Sequence, residues 1–404
     1  MNIEKSGWVT LSAAEFLVPE LDDETLNQMA SVIVHCMNFK HGESTLITGG
    51  LHCWKLVEKI RLECAFNGVS SIVDMISDDL NRAYAQQIPT EFLRKAPRDI
   101  QAIANTIEGY INLTKTWDPH STEDLPKDNL VAQREAIREM EAILLKRNVR
   151  RTLVGYPTTP MARSFGVSFD ELKELIVGGM LYSQKTLLSK CEALAKHLRG
   201  ADKVHLQDKD GTDLFVDIRD RRISMSDGLI SEEDQKIGYN TANLPTGEVF
   251  IAAHEDVGEG TLFCPLTRDK FSNKVIKNVL IVFEKGRVTL EKSHAEQGAE
   301  ELENSLVTAL RSDERKYKAA RTLNIAELGL GLNEKIKKPI GYVLTDEKIG
   351  GSAHVAIGDN KSYGGLSEST LHWDFVTGTK ENVTVIYPDG SSKKIIEEGR
   401  IIVI

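Results

Sequence analysis

The sequence has few cysteines and lacks the glycine-rich motifs that many enzyme classes require. Its five cysteines are scattered through 404 residues without paired spacing, which argues against a disulfide framework and against a zinc knuckle. Neither a G-x-G-x-x-G pattern nor a Walker loop is present, so we expect no phosphate-binding loop of these types. Scattered reduced thiols are typical of a cytoplasmic protein, which is the location we expect.

Long apolar runs and basic clusters are also missing. No uninterrupted apolar run comes near the roughly 18 residues of a membrane span, and the first residues lack the basic and then apolar pattern of a signal peptide. The net charge of −10 argues against nucleic acid as the main partner. With 41% hydrophobic and 27% charged residues, the composition is that of a soluble globular protein.

The pattern of the sequence changes near residue 200. Before it, helix-like and strand-like segments alternate, as in "STLITGG", "HCWKLVEKIRLECAFNG" and "VSSIVDMIS", an order that predicts a parallel sheet. After it, short strand-like runs dominate, and Asp210-Gly211 predicts a hairpin turn. We therefore predict α/β and α+β architecture, with an amino-terminal parallel α/β domain over residues 1–200 and a β-rich catalytic domain over 201–404.

Polar residues that interrupt apolar segments fall in the second half of the chain. In "LHWDFV", His372 and Asp374 are two residues apart, so in a strand both side chains would point from the same face. Similar apolar or glycine-rich surroundings, in "EVFIAA", "NIAELGLGLN" and "DEKIGGSAHVAIGDNKSYGG", contain Glu248, Glu327, Glu347, His354 and Tyr363.

Each of these residues also has a purely structural interpretation. The His-x-Asp pair can be a plain hydrogen bond, a glutamate can cap a turn or pair with an arginine, and a histidine can be a satisfied core residue. Together these interpretations are harder to maintain, because a carboxylate buried without a partner costs several kcal/mol. Three or four carboxylates lie in apolar segments without a matching set of arginines. A pair of divalent cations would supply the missing positive charge.

The types of donor atom restrict which metal ions the site can bind. Carboxylates with two imidazoles and no thiolates suit Zn²⁺, Co²⁺, Mn²⁺ or Fe²⁺. Four or more carboxylates exceed what one zinc requires and fit a two-metal hydrolytic site. In such a site the metals activate a water molecule and polarise the scissile carbonyl, while one carboxylate acts as general base.

The sequence resembles the thermophilic metalloprotease (aminopeptidase T) family. The segments that resemble family motifs, in the family's order, are "PTGEVFIAAHEDVGEGT", "AELGLGLN", "DEKIGGSAHVAIG" and "LHWDF". The resemblance makes Glu347 a further ligand or the general base, and Tyr363 a hydrogen-bond donor to the tetrahedral intermediate. Glu347 precedes His354 by more residues than the family pattern has, so its role stays open between ligand and base. The metal ligands that the resemblance implies are Glu248, Glu327, His354, His372 and Asp374.

The resemblance also implies an activity and an assembly. It points to a metal-dependent aminopeptidase that removes amino-terminal residues from short peptides. Two divalent metal ions would be bound, with Zn²⁺, Co²⁺, Mn²⁺ and Mg²⁺ as the candidates. A homodimer would enclose the active site and exclude long or folded substrates.

Two other functions remain as alternatives. Iron(II)-dependent dihydroxypyridine ring-cleaving dioxygenases resemble the carboxy-terminal half and share a similar His-x-Asp pair. They place a histidine where this chain has Glu327 and lack the counterpart of Glu248, and both differences favour the hydrolase. The second alternative is a non-catalytic metal-binding or peptide-binding protein on the same scaffold, against which the complete ligand set argues.

Overall fold

The computed structural model describes residues 21–403. Contacts divide the chain into two compact units, Met1–Leu181 with Leu229–Leu244, and Tyr182–Gly228 with Pro245–Ile404. The helices of the described residues are α1 Asp23–Cys36, α2 Trp54–Phe66, α3 Asp78–Gln87, α4 Thr90–Leu93, α5 Arg98–Ala104, α6 Lys127–Lys146, α7 Thr159–Phe165, α8 Phe169–Lys173, α9 Gln184–Leu198, α10 Glu232–Lys236, α11 Ala299–Lys316 and α12 Val343–Asp346.

The strands are distributed over the whole described chain. They are β1 Ser44–Gly50, β2 Ser70–Ile76, β3 Gly109–Leu113, β4 Arg150–Val154, β5 Lys203–Gln207, β6 Asp213–Asp217, β7 Ile223–Ser226, β8 Thr241–Leu244, β9 Glu248–Ala252, β10 Gly258–Arg268, β11 Val275–Glu284, β12 Arg287–Val288, β13 His294–Gln297, β14 Ile325–Gly331, β15 Ala353–Gly358, β16 His372–Val376, β17 Asn382–Ile386, β18 Ser392–Glu397 and β19 Arg400–Ile401.

The first unit is built on a parallel sheet with the strand order β2-β1-β3-β4-β8. The predicted parallel α/β arrangement is confirmed. Helix α1 is capped by Asp22, whose side chain accepts a hydrogen bond of 2.7 Å from the Thr25 N–H. Leu26, Met29 and Ile33 of α1 follow helical spacing and are fully buried in the core of this unit.

The second unit contains two antiparallel sheets. The larger has the order β12-β11-β10-β6-β5-β17-β18-β19, with β13 paired to β11. The hairpin predicted at Asp210-Gly211 joins β5 to β6, and Asp208 closes it by accepting hydrogen bonds from the N–H groups of Asp210, Gly211 and Thr212. The smaller sheet has the order β16-β15-β14-β9-β7, and it carries most of the polar residues singled out above.

The smaller sheet has one strongly apolar face, because its strands alternate. Leu328, Leu330 and Val355 point into the core of this unit, as do Trp373 and Phe375. The other face is left for the polar residues of β9, β14, β15 and β16. In the described part of the chain, no helix is long and apolar enough to cross a membrane.

Candidate metal centre

Strand register brings the candidate residues to the same face of the smaller sheet. Asp374 lies opposite Ala356 on β15, and Ala356 lies opposite Glu327 on β14. Two residues farther along β14, Gly329 lies opposite His354 of β15. Directly paired residues of antiparallel strands project to the same side, so side chains from distant parts of the sequence converge here. Glu248 of β9 joins them, paired with Gly331 at the end of β14.

Small residues between the polar ones leave room for them. A Cβ atom at Gly329 would lie 2.1 Å from Cε1 and from Nε2 of His354, so the imidazole lies directly over this glycine. A Cβ atom at Gly331 would lie 2.1 Å from the carbonyl oxygen of Ile349 and 2.9 Å from that of Glu347. The two glycines therefore let the ring and the loop after α12 approach the sheet closely.

Glu327, His372 and Asp374 form a compact group. Each offers one ligand atom, and these atoms all lie within 4.8 Å of one another. Nε2 of His372 is 3.0 Å from Oδ1 of Asp374 and 3.5 Å from Oε2 of Glu327. The group matches part of the predicted ligand set and has the donor types of a metal site.

Glu248 and His354 lie on the other side of Glu327. Nε2 of His354 is 3.4 Å from Oε1 of Glu327 and 3.7 Å from Oε2 of Glu248. Glu327 therefore directs one carboxylate oxygen toward each of the two histidines.

Glu347 reaches the group from the end of α12, where it is the C-terminal cap. The preceding residue holds this loop, since the buried Asp346 carboxylate accepts hydrogen bonds from the N–H groups of Ile340 and Gly341. Burial raises the pKa of Asp346 to about 7. The segment between Glu347 and His354 is held to the end of β14, because the N–H groups of Gly350 and Gly351 donate to the carbonyl oxygens of Asn333 and Gly331 at 3.1 and 2.9 Å.

Two lysines at this site were missed by sequence reasoning. The Lys348 side chain is fully buried, and its ammonium is 2.7 Å from Oε1 of Glu248 and 2.6 Å from Oε2 of Glu347. Nζ of Lys270 is 3.6 Å from Oδ2 of Asp374. The lack of a matching set of arginines therefore does not leave the carboxylates without cationic partners. A lysine beside Asp346 and Glu347 has the sequence surroundings of an exposed turn, and nothing in the local pattern indicates its burial.

The orientation of the His372 ring is set by hydrogen bonds at Nδ1, on the side of the ring away from the carboxylates. Its Nδ1 lies 2.7 Å from the carbonyl oxygen of Asp359, so Nδ1–H donates there, and Nε2 faces the acidic group, where it donates to Oδ1 of Asp374 at 3.0 Å when protonated and can bind a metal once deprotonated. The Tyr363 hydroxyl lies 3.1 Å from the same carbonyl and 3.0 Å from Nδ1. Buried Asn360 anchors this loop by donating to the carbonyl oxygen of Ala326 at 3.0 Å.

The charges of the site shift the pKa values of both histidines upward. Burial alone would lower the pKa of His354, but the hydrogen bond to Glu327 and the surrounding carboxylates raise it to about 9. Burial is likewise outweighed at His372, where Asp374 and Glu327 raise the pKa to about 10. Asp374 shows the converse effect: burial acts to raise its pKa, yet His372 and Lys270 hold it well below the usual range.

Glu347 and Tyr363 are shifted mainly by burial. Burial raises the pKa of Glu347 to about 7, against the opposing effect of Lys348. Burial, with the charges of Glu327 and Asp374, raises the pKa of Tyr363 well above its usual value, so the phenol stays protonated and can donate.

The donor set fits divalent metal ions. Oε2 of Glu248 and Nδ1 of His354 are buried without a hydrogen-bond partner among the described residues, which is costly unless something else satisfies them. Around them, ionised carboxylates offer only acceptor atoms, and each imidazole presents one nitrogen to two carboxylates. A cation bound by Nε2 of His354 would also satisfy Oε2 of Glu248, which lies 3.7 Å from that nitrogen, whereas Nδ1 points away from the cluster.

His254, the histidine near the first motif, does not join the cluster. Its Nε2 lies 2.7 Å from the carbonyl oxygen of Arg219, in a more exposed position. His254 was not among the predicted site residues, and those residues all lie at or beside the acidic group described above.

The fold and this cluster define a metal-binding protein of mixed α/β class, and comparison with known proteins identifies its family. The sequence model of the thermophilic metalloprotease family (M29) matches residues 22–401. The chain belongs to this family. Its family and relatives mark it as a metallo-aminopeptidase-type enzyme, a hydrolase.

The relatives extend over nearly the whole chain. Aminopeptidase T of Thermus aquaticus is 24% identical over 420 residues, which cover 94% of this chain and 99% of that protein. The solved structure of wild-type AmpT from Thermus thermophilus matches with a TM-score of 0.72 at 21% identity, covering 94% of this chain and 99% of that one.

A 2,5-dihydroxypyridine dioxygenase from Pseudomonas putida KT2440 is a weaker structural neighbour. It matches with a TM-score of 0.59 at 15% identity, covering 95% of this chain and 99% of that one. Identity this low shows a shared fold alone.

Proposed function

We propose that this protein is a metal-dependent aminopeptidase that releases amino-terminal residues from short peptides. The observation that carries the proposal is the convergence of the candidate carboxylates and imidazoles on a single sheet face, in a chain of a metalloprotease family. Five of them are proposed as metal ligands: Glu248, Glu327, His354, His372 and Asp374.

The ligands fall into two groups that share Glu327. His372 and Asp374 lie on one side of its carboxylate, and His354 and Glu248 on the other. This division supports two divalent cations, with Zn²⁺, Co²⁺, Mn²⁺ or Mg²⁺ as candidates. Bound there, the cations would lower the pKa of a water molecule and polarise the scissile carbonyl.

Glu347 is proposed as the general base. Its pKa of about 7 leaves a carboxylate that can accept a proton near neutral pH and pass it on. The Lys348 ammonium at 2.6 Å holds one carboxylate oxygen in place, which leaves the other oxygen for proton transfer. An alternative role as a further ligand is distinguished by the metal content of Glu347→Gln, considered below.

Tyr363 is proposed to position His372. Its hydroxyl shares the carbonyl oxygen of Asp359 with His372 Nδ1–H, and its ring meets that of His372 edge to face at 6.0 Å. These contacts favour a role in which Tyr363 fixes the orientation of the His372 ring. The hydrogen bond from Tyr363 to the tetrahedral intermediate stays a prediction.

Peptide hydrolysis tests the proposal directly. The protein is stripped with a chelator, reloaded with each of the four metals, and assayed on aminoacyl chromogenic amides and on short peptides. We expect release of the first residue from free peptides and none from the same peptides with an acetylated amino terminus. Dihydroxypyridine with Fe²⁺ and oxygen is assayed in parallel.

The outcomes separate the candidate functions. Turnover of the ring compound without peptide hydrolysis would favour the dioxygenase, and tight metal binding without either activity would favour a non-catalytic metal-binding protein. His254→Ala is a matched control, because this histidine bonds to Arg219 away from the cluster, and it should retain activity. The expected homodimer also stays a prediction, which light scattering at micromolar concentration tests.

A further inference from the structure

Lys348 lies inside the proposed metal centre. Its side chain is fully buried, and the ammonium contacts Oε1 of Glu248 at 2.7 Å and Oε2 of Glu347 at 2.6 Å. A lysine is almost never buried completely unless it is paired, and here both partners belong to the carboxylate cluster. The ammonium therefore occupies a position between two carboxylates where a cation is favoured.

Backbone hydrogen bonds hold Lys348 on both sides, one to α12 and one to the segment that follows β14. Its N–H donates to the carbonyl oxygen of Thr345 at 2.9 Å, and its own carbonyl accepts from the N–H of Asn333 at 2.9 Å. Asn333 is fully buried and donates from Nδ2 to the carbonyl oxygen of Thr246 at 2.7 Å. These bonds aim the stem of the lysine at Glu248 and restrict where the ammonium can move.

The charges of the centre balance with a single divalent cation. Four carboxylates converge here, those of Glu248, Glu327, Glu347 and Asp374, and two ammonium groups accompany them. With both imidazoles neutral, as metal ligands must be, two negative charges remain uncompensated. One divalent ion neutralises them, and a second ion has to enter a centre that is already balanced.

We propose that the Lys348 ammonium competes with the second cation, so that this chain binds one divalent ion tightly and the other weakly. The tight ion belongs to the group of Glu327, His372 and Asp374, which Lys348 does not contact within the described structure. The weak ion belongs to Glu248 and His354 and has to displace the ammonium from Glu248. The inference rests on the proposed function for its assignment of this cluster as a metal centre.

The charge-assisted hydrogen bond between Lys348 and Glu248 sets the size of the effect. Breaking one such bond changes an equilibrium constant by roughly tenfold or more, so displacing the ammonium from Glu248 weakens the binding of the second ion by about that factor. Lys348→Met keeps the length of the side chain and removes the charge. In this variant we expect the second dissociation constant to fall by about that factor.

The experiment is a titration of the chelator-stripped full chain with Mn²⁺ alone. Calorimetry gives the two affinities, and the EPR signal of free Mn²⁺ gives the number of ions bound. The parent protein should bind one ion tightly and a second weakly, and Lys348→Met should bind two tightly. Lys190→Met is the matched control, because Lys190 is also mostly buried and paired, with Glu334 at 2.7 Å, and it should bind Mn²⁺ like the parent.

Several results would overturn the proposal. Two ions of equal affinity in the parent would do so without any variant, which keeps the test decisive if Lys348→Met fails to fold. An unchanged second affinity in a folded Lys348→Met would do so as well. Neither measurement depends on turnover, so a protein that binds Mn²⁺ as proposed yet cleaves no peptide would refute the proposed activity and leave this inference standing.

Discussion

Neighbouring residues of β16 should respond in opposite ways to truncation. His372 and Asp374 face the acidic cluster, whereas Trp373 between them faces the core. We predict that His372→Ala and Asp374→Ala lose metal with little loss of intrinsic stability. Trp373→Ala should lose stability and keep its metal.

The cost at Trp373 follows from its surroundings. The side chain is fully buried, its indole N–H donates to Oγ1 of Thr267 at 3.1 Å, and its ring stacks on Phe375 with 5.2 Å between centroids. Truncating a buried tryptophan to alanine costs about 3–5 kcal/mol. For a unit of roughly 200 residues, each kcal/mol lowers the melting temperature by about 2–4 °C. We therefore expect a decrease on the order of 10 °C.

The cost at His372 is of a different kind. Removing the imidazole takes away one proposed ligand and the 3.0 Å contact with Asp374, while the apolar packing behind the strand stays intact. Bound metal should fall sharply and hydrolysis should cease. Because a bound ligand raises apparent stability, the melting temperatures have to be compared on chelator-treated proteins, where His372→Ala should resemble the parent.

Metal analysis and calorimetry together test whether His372 and Asp374 bind metal and whether Trp373 stabilises the core. Inductively coupled plasma measurements on desalted protein give metal per chain, and differential scanning calorimetry with and without chelator gives stability. Full metal occupancy in both His372→Ala and Asp374→Ala would refute the two-metal assignment. Loss of metal from Trp373→Ala without loss of stability would show that the faces of β16 are assigned wrongly.

Three further predictions concern the same centre. Glu347→Gln should lower kcat by about 10²–10⁴-fold if Glu347 is the base, with metal content unchanged; loss of metal in this variant would make it a ligand. At pH 7 both His354 and His372 are positively charged imidazolium groups, since their pKa values are raised to about 9 and about 10. Because a metal binds only the neutral ring, metal binding should release protons and should tighten as the pH rises. Calorimetry in two buffers of different ionisation enthalpy measures this release, and a binding heat that is independent of buffer would contradict it. Gly329→Ala would place a Cβ atom 2.1 Å from the His354 ring and should weaken metal binding by roughly 10–100-fold, whereas parent-like affinity in a calorimetric titration would show that the ring has room to move.

Local periodicity was sufficient for several features of this protein. The spacing of two residues between His372 and Asp374 places both on one strand face whatever the rest of the chain does, and it turns Trp373 the other way. The succession of strand, helix and strand before residue 113 similarly predicts the parallel sheet that the structure contains. The order of the four quoted motifs was sufficient to indicate the family to which the chain belongs.

Only the tertiary structure decided how these pieces meet. Pairing of Glu327 with Ala252 and Ala356 depends on the register of strands far apart in sequence, which no local pattern specifies. The fifth strand of the parallel sheet, Thr241–Leu244, comes from beyond residue 200, because a strand joins a sheet wherever a partner edge is available. A local reading of composition also missed the two lysines.

Lys348 shows most clearly why local sequence does not specify which side chains meet in the folded protein. In "DEKIGG" a lysine beside two acidic residues has the composition of a solvated turn, and solvation is the usual state of such a side chain. Its burial results from backbone hydrogen bonds to Thr345 and Asn333 and from carboxylates, one of which lies 100 residues earlier in the chain. A charge is buried only where partners surround it in space. The sequence determined which side chains were available, and the packing of the loop after α12 against Asn333 and Glu248 decided that a cation of the protein itself lies among them.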